Sequence, residues 1–311
     1  MRRMNILITS ISKKIPMIKT VRRAMFRLGG SSQLYGMDAA ADSIGRYFVD
    51  HFWHCPPLSV MRPENFVDYC LRHNISIVFP SRDGELIYFS ENRELFAQQG
   101  IYVMIPEPSA VKSCLDKLQF YHLLHDRFPV VPTSEVAEDW DGLFVVKQRF
   151  GAGSAEIGIG LDRSAAILHS NRISNPIFQP YIVGSEYSID VYIDQNGKSI
   201  GAIVRQRNKV IQGESQVTTS CRYPVLEKLS INMAEVLQLR GHAIFQILVD
   251  QQDKPHILEC NCRFGGASTL SVEMGLDTFY WFIKESHGES ISFVRPDTER
   301  MLIRYPEDLI L

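Results

Sequence analysis

Residues 256–269 read HILECNCRFGGAST. A carboxylate, an amide and a guanidinium occupy every second position here, Glu259, Asn261 and Arg263, before two glycines, Gly265 and Gly266. Side chains of a strand point alternately to opposite faces, so these three share one side while Leu258, Cys260, Cys262 and Phe264 share the other. A strand that alternates in this way is most often a half-exposed edge. The choice of groups argues for more: Glu and Asn offer hard oxygen ligands, and Arg a planar cationic fork for phosphate, a trio suited to a magnesium nucleotide.

Composition leaves room for such a site and narrows the alternatives. The 311 residues are 45% hydrophobic and 22% charged, ordinary values for a globular chain with a sizeable core. Thirty-three basic against 35 acidic residues give a net charge of -2, no general reason to expect nucleic acid or an anionic membrane as partner. Six cysteines form no CxxC pair and several sit in apolar stretches, which points to a reducing compartment. The basic start MRRMNILITSISKK meets Lys13 and Lys14 after only a short apolar run, unlike a signal peptide. No later stretch reaches the ~18 apolar residues of a membrane helix, and the expected location is cytoplasmic.

The first third alternates strands and helices. NILITSI, LYGMD, ISIVFP and IYVMI read as strands; Val21, Ala24, Met25 and Leu28 fall at helical spacing, and PENFVDYCLRH and ELIYFSENRELFAQQ read as helices. This βαβα order predicts an open parallel sheet, a Rossmann-like unit of about 105 residues. SISKKIP stands where a GxGxxG fingerprint would follow the first strand, which argues against a dehydrogenase. PEPSAVKSCLDKLQFYHLLHDRF reads as one helix capped by Ser109, with Val111, Cys114, Leu115 and Leu118 as its stripe. From residue 143 the texture is mixed α+β: strands and glycine loops, a helix through Leu229, Met233, Val236 and Leu237 with Gly241 as its stop, then a hairpin of AIFQILVD and HILECNC.

VVKQRFGAGS, residues 145–154, sets a strand lysine before a glycine loop whose amide groups could surround phosphate oxygens; its order excludes a Walker P-loop. Together with LDKLQFYHLL, FQPYIVGSEYSIDV, FQILVD and ECNCRFGGAS, it makes nearly the whole chain resemble the ATP-grasp superfamily, in particular one module of a carbamoyl-phosphate synthase large subunit. The resemblance implies an α/β plus α+β chain: a Rossmann-like pre-ATP-grasp domain over residues 1–106, then ATP-grasp subdomains over 107–177 and 178–311. It implies ATP with Mg2+ or Mn2+ as cofactors. It further implies that Lys117 and Lys147 contact phosphates, that Gly151, Gly153 and Ser154 close over the triphosphate, and that Gln179, Pro180, Tyr181 and Ile182 read adenine. By the same matching Glu186 accepts the ribose hydroxyl, Gln246, Glu259 and Asn261 hold magnesium, and Arg263, with Lys147, stabilises the transferring phosphoryl group.

Gln246 stands where many relatives have Glu or Asp, so one ion would be held with less charge. Cys262 replaces the usual Pro between Asn and Arg, on the face away from the ligands, and the CxC pair reads as core for want of further ligands. His242 and His256 read as structural or surface histidines, not as bases. Arg205 and Arg207 share one strand face, and Arg82 and Asp83 follow a strand end where open sheets place ligands; with Ser268 these are the substrate candidates. The expected function is an ATP-dependent ligase acting on a small carboxylate and an amine or similar nucleophile, without nucleic acid or membrane, as a homodimer. A catalytically silent nucleotide-binding regulatory or assembly protein is the alternative.

Overall fold

The computed structural model describes residues 4–29, 32–138, 140–151 and 156–311. Five short strands, β1 (Asn5–Ile8), β2 (Leu34–Asp38), β3 (His51–His54), β4 (Ile75–Phe79) and β5 (Tyr102–Val103), form a parallel sheet in the order β3-β2-β1-β4-β5. Parallel strands covered on both faces need apolar side chains on both, and NILI of β1 is buried throughout. Ile6, Ile8, Ile77 and Phe79 belong to one core with Met17, Ile18 and Val21 of α1 (Ile15–Arg27). Leu7 and Val78 belong to the other, with Phe66 of α2 (Pro63–Arg72), Phe89 of α3 (Leu86–Glu91) and Phe96 of α4 (Arg93–Gln98).

Two expected helices are each two. ELIYFSENRELFAQQ breaks at Asn92, whose side-chain amide donates to the Tyr88 carbonyl in competition with the helix ladder. PEPSAVKSCLDKLQFYHLL splits into α5 (Pro108–Leu115) and α6 (Lys117–Leu124) at Asp116, which is extended and whose carboxylate accepts from the amides of Leu118 and Gln119 at 3.1 and 3.0 Å. The residue before α5 is Glu107, not the expected Ser109, because Pro108 already occupies the first turn.

An antiparallel sheet in the order β7-β6-β8 follows, built from β6 (Phe144–Gln148), β7 (Gly158–Leu161) and β8 (Pro176–Pro180), with α7 (Arg163–Ser170) on one face. The expected subdomain limit at 177 falls inside β8. The larger antiparallel sheet comprises β9 (Gly184–Ile193), β10 (Ser199–Ile211), β11 (Glu214–Cys221), β12 (Gly241–Asp250), β13 (Pro255–Asn261) and β14 (Met301–Ile303) in the order β13-β12-β9-β10-β11-β14. Ile189, Val191, Val204 and Phe245 join one core with Leu226 and Met233 of α8 (Pro224–Val236), while α9 (Thr269–Glu273) and α10 (Thr278–Ser286) contribute to the other core. The stop of α8 is not Gly241: Gln238 takes the left-handed backbone at φ 54°, and Gly241 opens β12 where a Cβ would strike Met104.

Candidate active site

Strand alternation builds one wall of a cleft of about 800 Å³. On β6, Phe144 and Val146 turn into the core while Val145 and Lys147 face the cleft. The facing wall is the larger sheet, where Glu186 and Ser188 of β9, Arg205 and Arg207 of β10, and Ile244, Gln246 and Leu248 of β12 present their alternate side chains. Register aligns them into rows. Glu259 pairs with Gln246, Gln246 with Ser188, and Ser188 with Arg205, a polar row three interstrand spacings or about 14 Å long.

The β12–β13 ladder shifts register between Gln246 and Ile247, because Ile257 pairs with Ile247 and Glu259 with Gln246. Leu258 is thereby the extra residue, and it lines the cleft beside Glu259 instead of joining the core face expected of it. Cys260, Cys262 and Phe264 are buried as expected. Glu259 and Asn261 stay on the cleft side, with the Asn261 amide donating to Glu259 Oε1 at 3.2 Å. Lys117 Nζ lies 3.9 Å from Glu259 Oε2 and donates to the Gly151 carbonyl at 2.6 Å.

Lys117 is set in place by Asp116, a residue that sequence reasoning missed. Besides capping α6, Asp116 takes a two-pronged contact from Arg149, Nε to Oδ1 and Nη2 to Oδ2, both 2.7 Å. Burial opposes its ionisation, but the hydrogen bonds from Arg149 and the α6 amides outweigh this and hold its carboxyl below the usual range. The segment leading from β6 into the glycine loop is thus tied to the start of α6. Gly153 and Ser154 lie outside the described residues.

Arg263 departs most from expectation. Its Nε and Nη2 donate to Asp83 Oδ1 and Oδ2 at 2.7 and 2.6 Å, across 180 residues of chain, while the residue still lines the cleft. Asp83 therefore enters the site through Arg263. Arg82 does not: it is exposed, outside the cleft lining, and its amide donates to Glu85. Ser268 is fully buried, donating to Asp190 and accepting the Gly265 amide at 3.2 Å, which makes it a support of the glycine turn instead of a substrate contact. Gln179 also lines the cleft, but its side-chain amide is spent on Thr133 at 2.8 Å, and the Tyr181 amide on Leu143. Among the described residues the backbone NH groups of Ile182 and Val183 carry no such bond, and Val145, Ile159 and Leu248 give that end of the cleft an apolar lining.

Arg205 and Arg207 do share the cleft face. Arg205 Nε donates to the buried Asp190 at 2.5 Å, and Arg207 donates to Glu186 and the Gly213 carbonyl, each at 2.7 Å. Arg205 Nη1 and Arg207 Nε are buried with no partner among the described residues, a cost that a bound anion would relieve. Lys14 and Arg304 were not anticipated. Lys14 follows β1 at the strand-end edge where open sheets bind ligands, a signal present in SISKKIP, and Arg304 packs over Gly266 where a Cβ would collide with it.

Among the described residues, seven basic side chains, those at 14, 117, 147, 205, 207, 263 and 304, line the cleft against three acidic ones, Glu186, Glu214 and Glu259. Burial pushes the Lys147 ammonium down to about 8, with Glu259 opposing, Lys117 adding and Glu186 opposing. Burial likewise raises the Glu186 carboxyl, against the pull of Arg207. Such an excess of cations at low hydration calls for a polyanion. Glu259, Asn261 and Gln246 carry hard oxygen donors, and the first two are in contact, a set that fits magnesium.

Two family models match the chain: "PylC-like, N-terminal domain" over residues 6–104, and "ATP-grasp in the biosynthetic pathway with Ter operon" over residues 173–309. Pyruvate carboxylase of Aspergillus terreus is 21% identical over 268 residues, 74% of this chain, which spans about a fifth, 22%, of that protein's length. Among solved structures, the biotin carboxylase domain of Hydrogenobacter thermophilus 2-oxoglutarate carboxylase superposes with a TM-score of 0.77 at 15% identity, covering 97% of this chain and 74% of that one. N5-carboxyaminoimidazole synthetase from Staphylococcus aureus, complexed with ADP, gives 0.72 at 15%, covering 93% and 79%. L-amino acid ligase from Bacillus licheniformis gives 0.67 at 16%, covering 92% and 74%. At these identities the likeness is one of fold.

Proposed function

We propose that this chain, which has the ATP-grasp fold behind a PylC-like N-terminal domain, is an ATP- and magnesium-dependent ligase that activates a small carboxylate as an acyl phosphate. The observation that carries the reading is the joining, in one cation-rich cleft, of Lys117 and Lys147 with the oxygen donors of Gln246, Glu259 and Asn261. The solved relatives include a domain bound to MgADP and bicarbonate, and an amino acid ligase. The division at residues 106 and 177, a cytoplasmic location and a homodimer belong to the same reading; among the described residues no helix is long and apolar enough to cross a membrane.

In this scheme the apolar end of the cleft takes the base, with the free backbone NH groups of Ile182 and Val183 meeting its edge, and Glu186 the ribose. Lys117 and Lys147 neutralise the phosphates, and Gln246, Glu259 and Asn261 would hold the magnesium, which supplies further charge compensation on the phosphate oxygens. A carboxylate oxygen of the substrate attacks the γ-phosphorus and the bond to ADP breaks. Arg263, fixed by Asp83 through two of its nitrogens, turns Nη1 to the charge that develops. The unpartnered edges of Arg205 and Arg207 anchor the carboxylate substrate at the far end of the polar row. An amine or similar nucleophile then displaces phosphate.

The test is a melting series followed by an ADP-release screen. MgATP should raise the melting temperature by an amount corresponding to about 2.7 kcal/mol at a hundredfold excess over Kd, and GTP by little. Amino acids and other small carboxylates, each with an amine, should then include at least one pair that stimulates ADP release. Equal shifts with GTP would remove the base-reading role of residues 179–183. A strong ATP shift with no stimulated release would favour the silent binding protein.

Lys147 adds a pH signature. Its proton is held only to about 8 in the free protein, and bound phosphates would raise that value, so ATP binding takes up a proton as pH rises past about 8. Affinity should fall by up to about tenfold per pH unit above that point, until the raised value of the complex is reached. Calorimetry at pH ~8.5 in two buffers of different ionisation enthalpy should show net proton uptake, absent in Lys147→Met. No buffer dependence in the wild type would mean that Lys147 does not meet phosphate.

A further inference from the structure

The Sγ atoms of Cys114 on α5, Cys260 on β13 and Cys262 just past its end all lie within 4.8 Å of one another, and all three residues are buried free thiols. The nucleotide chemistry uses none of them. They alternate with the cleft residues along one stretch of chain, since Cys260 lies between Glu259 and Asn261, and Cys262 between Asn261 and Arg263. Whatever binds the three sulfurs therefore sits directly behind the proposed magnesium ligands.

The geometry is that of a three-sulfur centre. An ion bonded to three thiolates at about 2.3 Å sets the sulfurs about 4.0 Å apart when planar, and closer together when a lone pair makes the centre pyramidal, as in trivalent arsenic; both fall inside the observed limit. Among the described residues no fourth His, Cys, Asp or Glu joins the group, whereas a structural zinc site takes four ligands. Soft ions that accept three thiolates suit the set instead.

We propose that Cys114, Cys260 and Cys262 form a binding site for a soft, thiophilic, three-coordinate ion whose occupation alters the nucleotide cleft through β13. The charge sum ranks the occupants. Trivalent arsenic with three thiolates is neutral, whereas Cu(I) with three leaves net negative charge in the main apolar core, where an uncompensated charge is costly. With arsenous acid the step balances without redox change: three As–O bonds break, three As–S bonds form, and each thiol proton leaves with a hydroxide as water.

The experiment titrates the reduced full-length protein with arsenite and, separately, with Cu(I). The expected result is one equivalent of arsenite bound per chain, with titratable thiols falling from six to three. Arsenite affinity should drop at least about tenfold in Cys114→Ser and in Cys262→Ser, and stay unchanged in Cys70→Ser, a buried thiol outside the group. Melting curves of each variant establish that it is folded. Tighter binding of Cu(I) than of arsenite would overturn the charge ranking. Failure of both ions to bind, or undiminished binding by folded Cys114→Ser, would overturn the site. Occupation should also weaken MgATP binding several-fold; only this last readout rests on the proposed function, so a filled three-thiol site with no nucleotide response would overturn the coupling alone.

Discussion

Asp190→Asn is expected to destabilise the protein by about 3–5 kcal/mol, because it leaves a buried guanidinium without its counter-charge. Asp190 is fully buried and Arg205 is 2% exposed, with Nε 2.5 Å from Oδ2. Asp190 also accepts from Ser271 at 2.7 Å and from Ser268, and meets His242 Nε2 at 2.9 Å. Burial opposes ionisation, but Arg205 first and His242 next outweigh it and hold the carboxyl far below the usual carboxylate range. The asparagine would place an amide donor where two donors now converge. Urea unfolding of the two proteins measures the effect. Because the folded-state value is depressed, the contribution is present above the ordinary carboxylate value and lost only as pH falls through the lower one, so the two proteins should converge only in strong acid. The pair Asp190→Leu with Arg205→Met should regain most of the loss, since removing both charges avoids the orphan. A loss below about 1 kcal/mol for Asp190→Asn would show that Asp190 is not what compensates the buried charge of Arg205.

Arg263→Lys is expected to lower turnover by about 100-fold or more while ATP affinity changes little. One guanidinium now does two things: Nε and Nη2 grip Asp83, and the group still lines the cleft. An ammonium is a single point charge on a flexible stem, so it can stay with Asp83 or reach the phosphoryl group, not both. Turnover with the best substrate pair and ATP affinity by calorimetry are measured together. Equal losses in the two would make Arg263 a nucleotide anchor, and Asp83→Asn, which frees the fork without removing it, would then be expected to leave turnover intact.

Much of the fold could be read locally. The apolar runs of β1, β2 and β4, the helical spacing of α1, and the β12–β13 hairpin around QQDKP are all set by side-chain alternation against backbone periods of about 2 and 3.6. The edge strand β3 escaped because HFWH is half-exposed and shows no alternation. The breaks at Asn92 and Asp116 escaped for a different reason: a polar side chain that turns back on its own backbone leaves no mark on the hydrophobic pattern. The bulge at Leu258 shifted the face of one residue while leaving Glu259 and Asn261 where alternation placed them.

The sequence by itself determined which groups share a strand face: Glu259 with Asn261, Arg205 with Arg207, Lys147 with Val145. That follows from backbone geometry, which repeats regardless of what the strand later packs against. Only the tertiary structure decided what each group meets. Asp83 reaches Arg263 from 180 residues away, Asp190 commits one side of Arg205 to the fold, and Cys114 brings a third thiol to Cys260 and Cys262. Partners of this kind are chosen by how distant strands and helices come to lie together, and a periodicity read over a few residues carries no information about them.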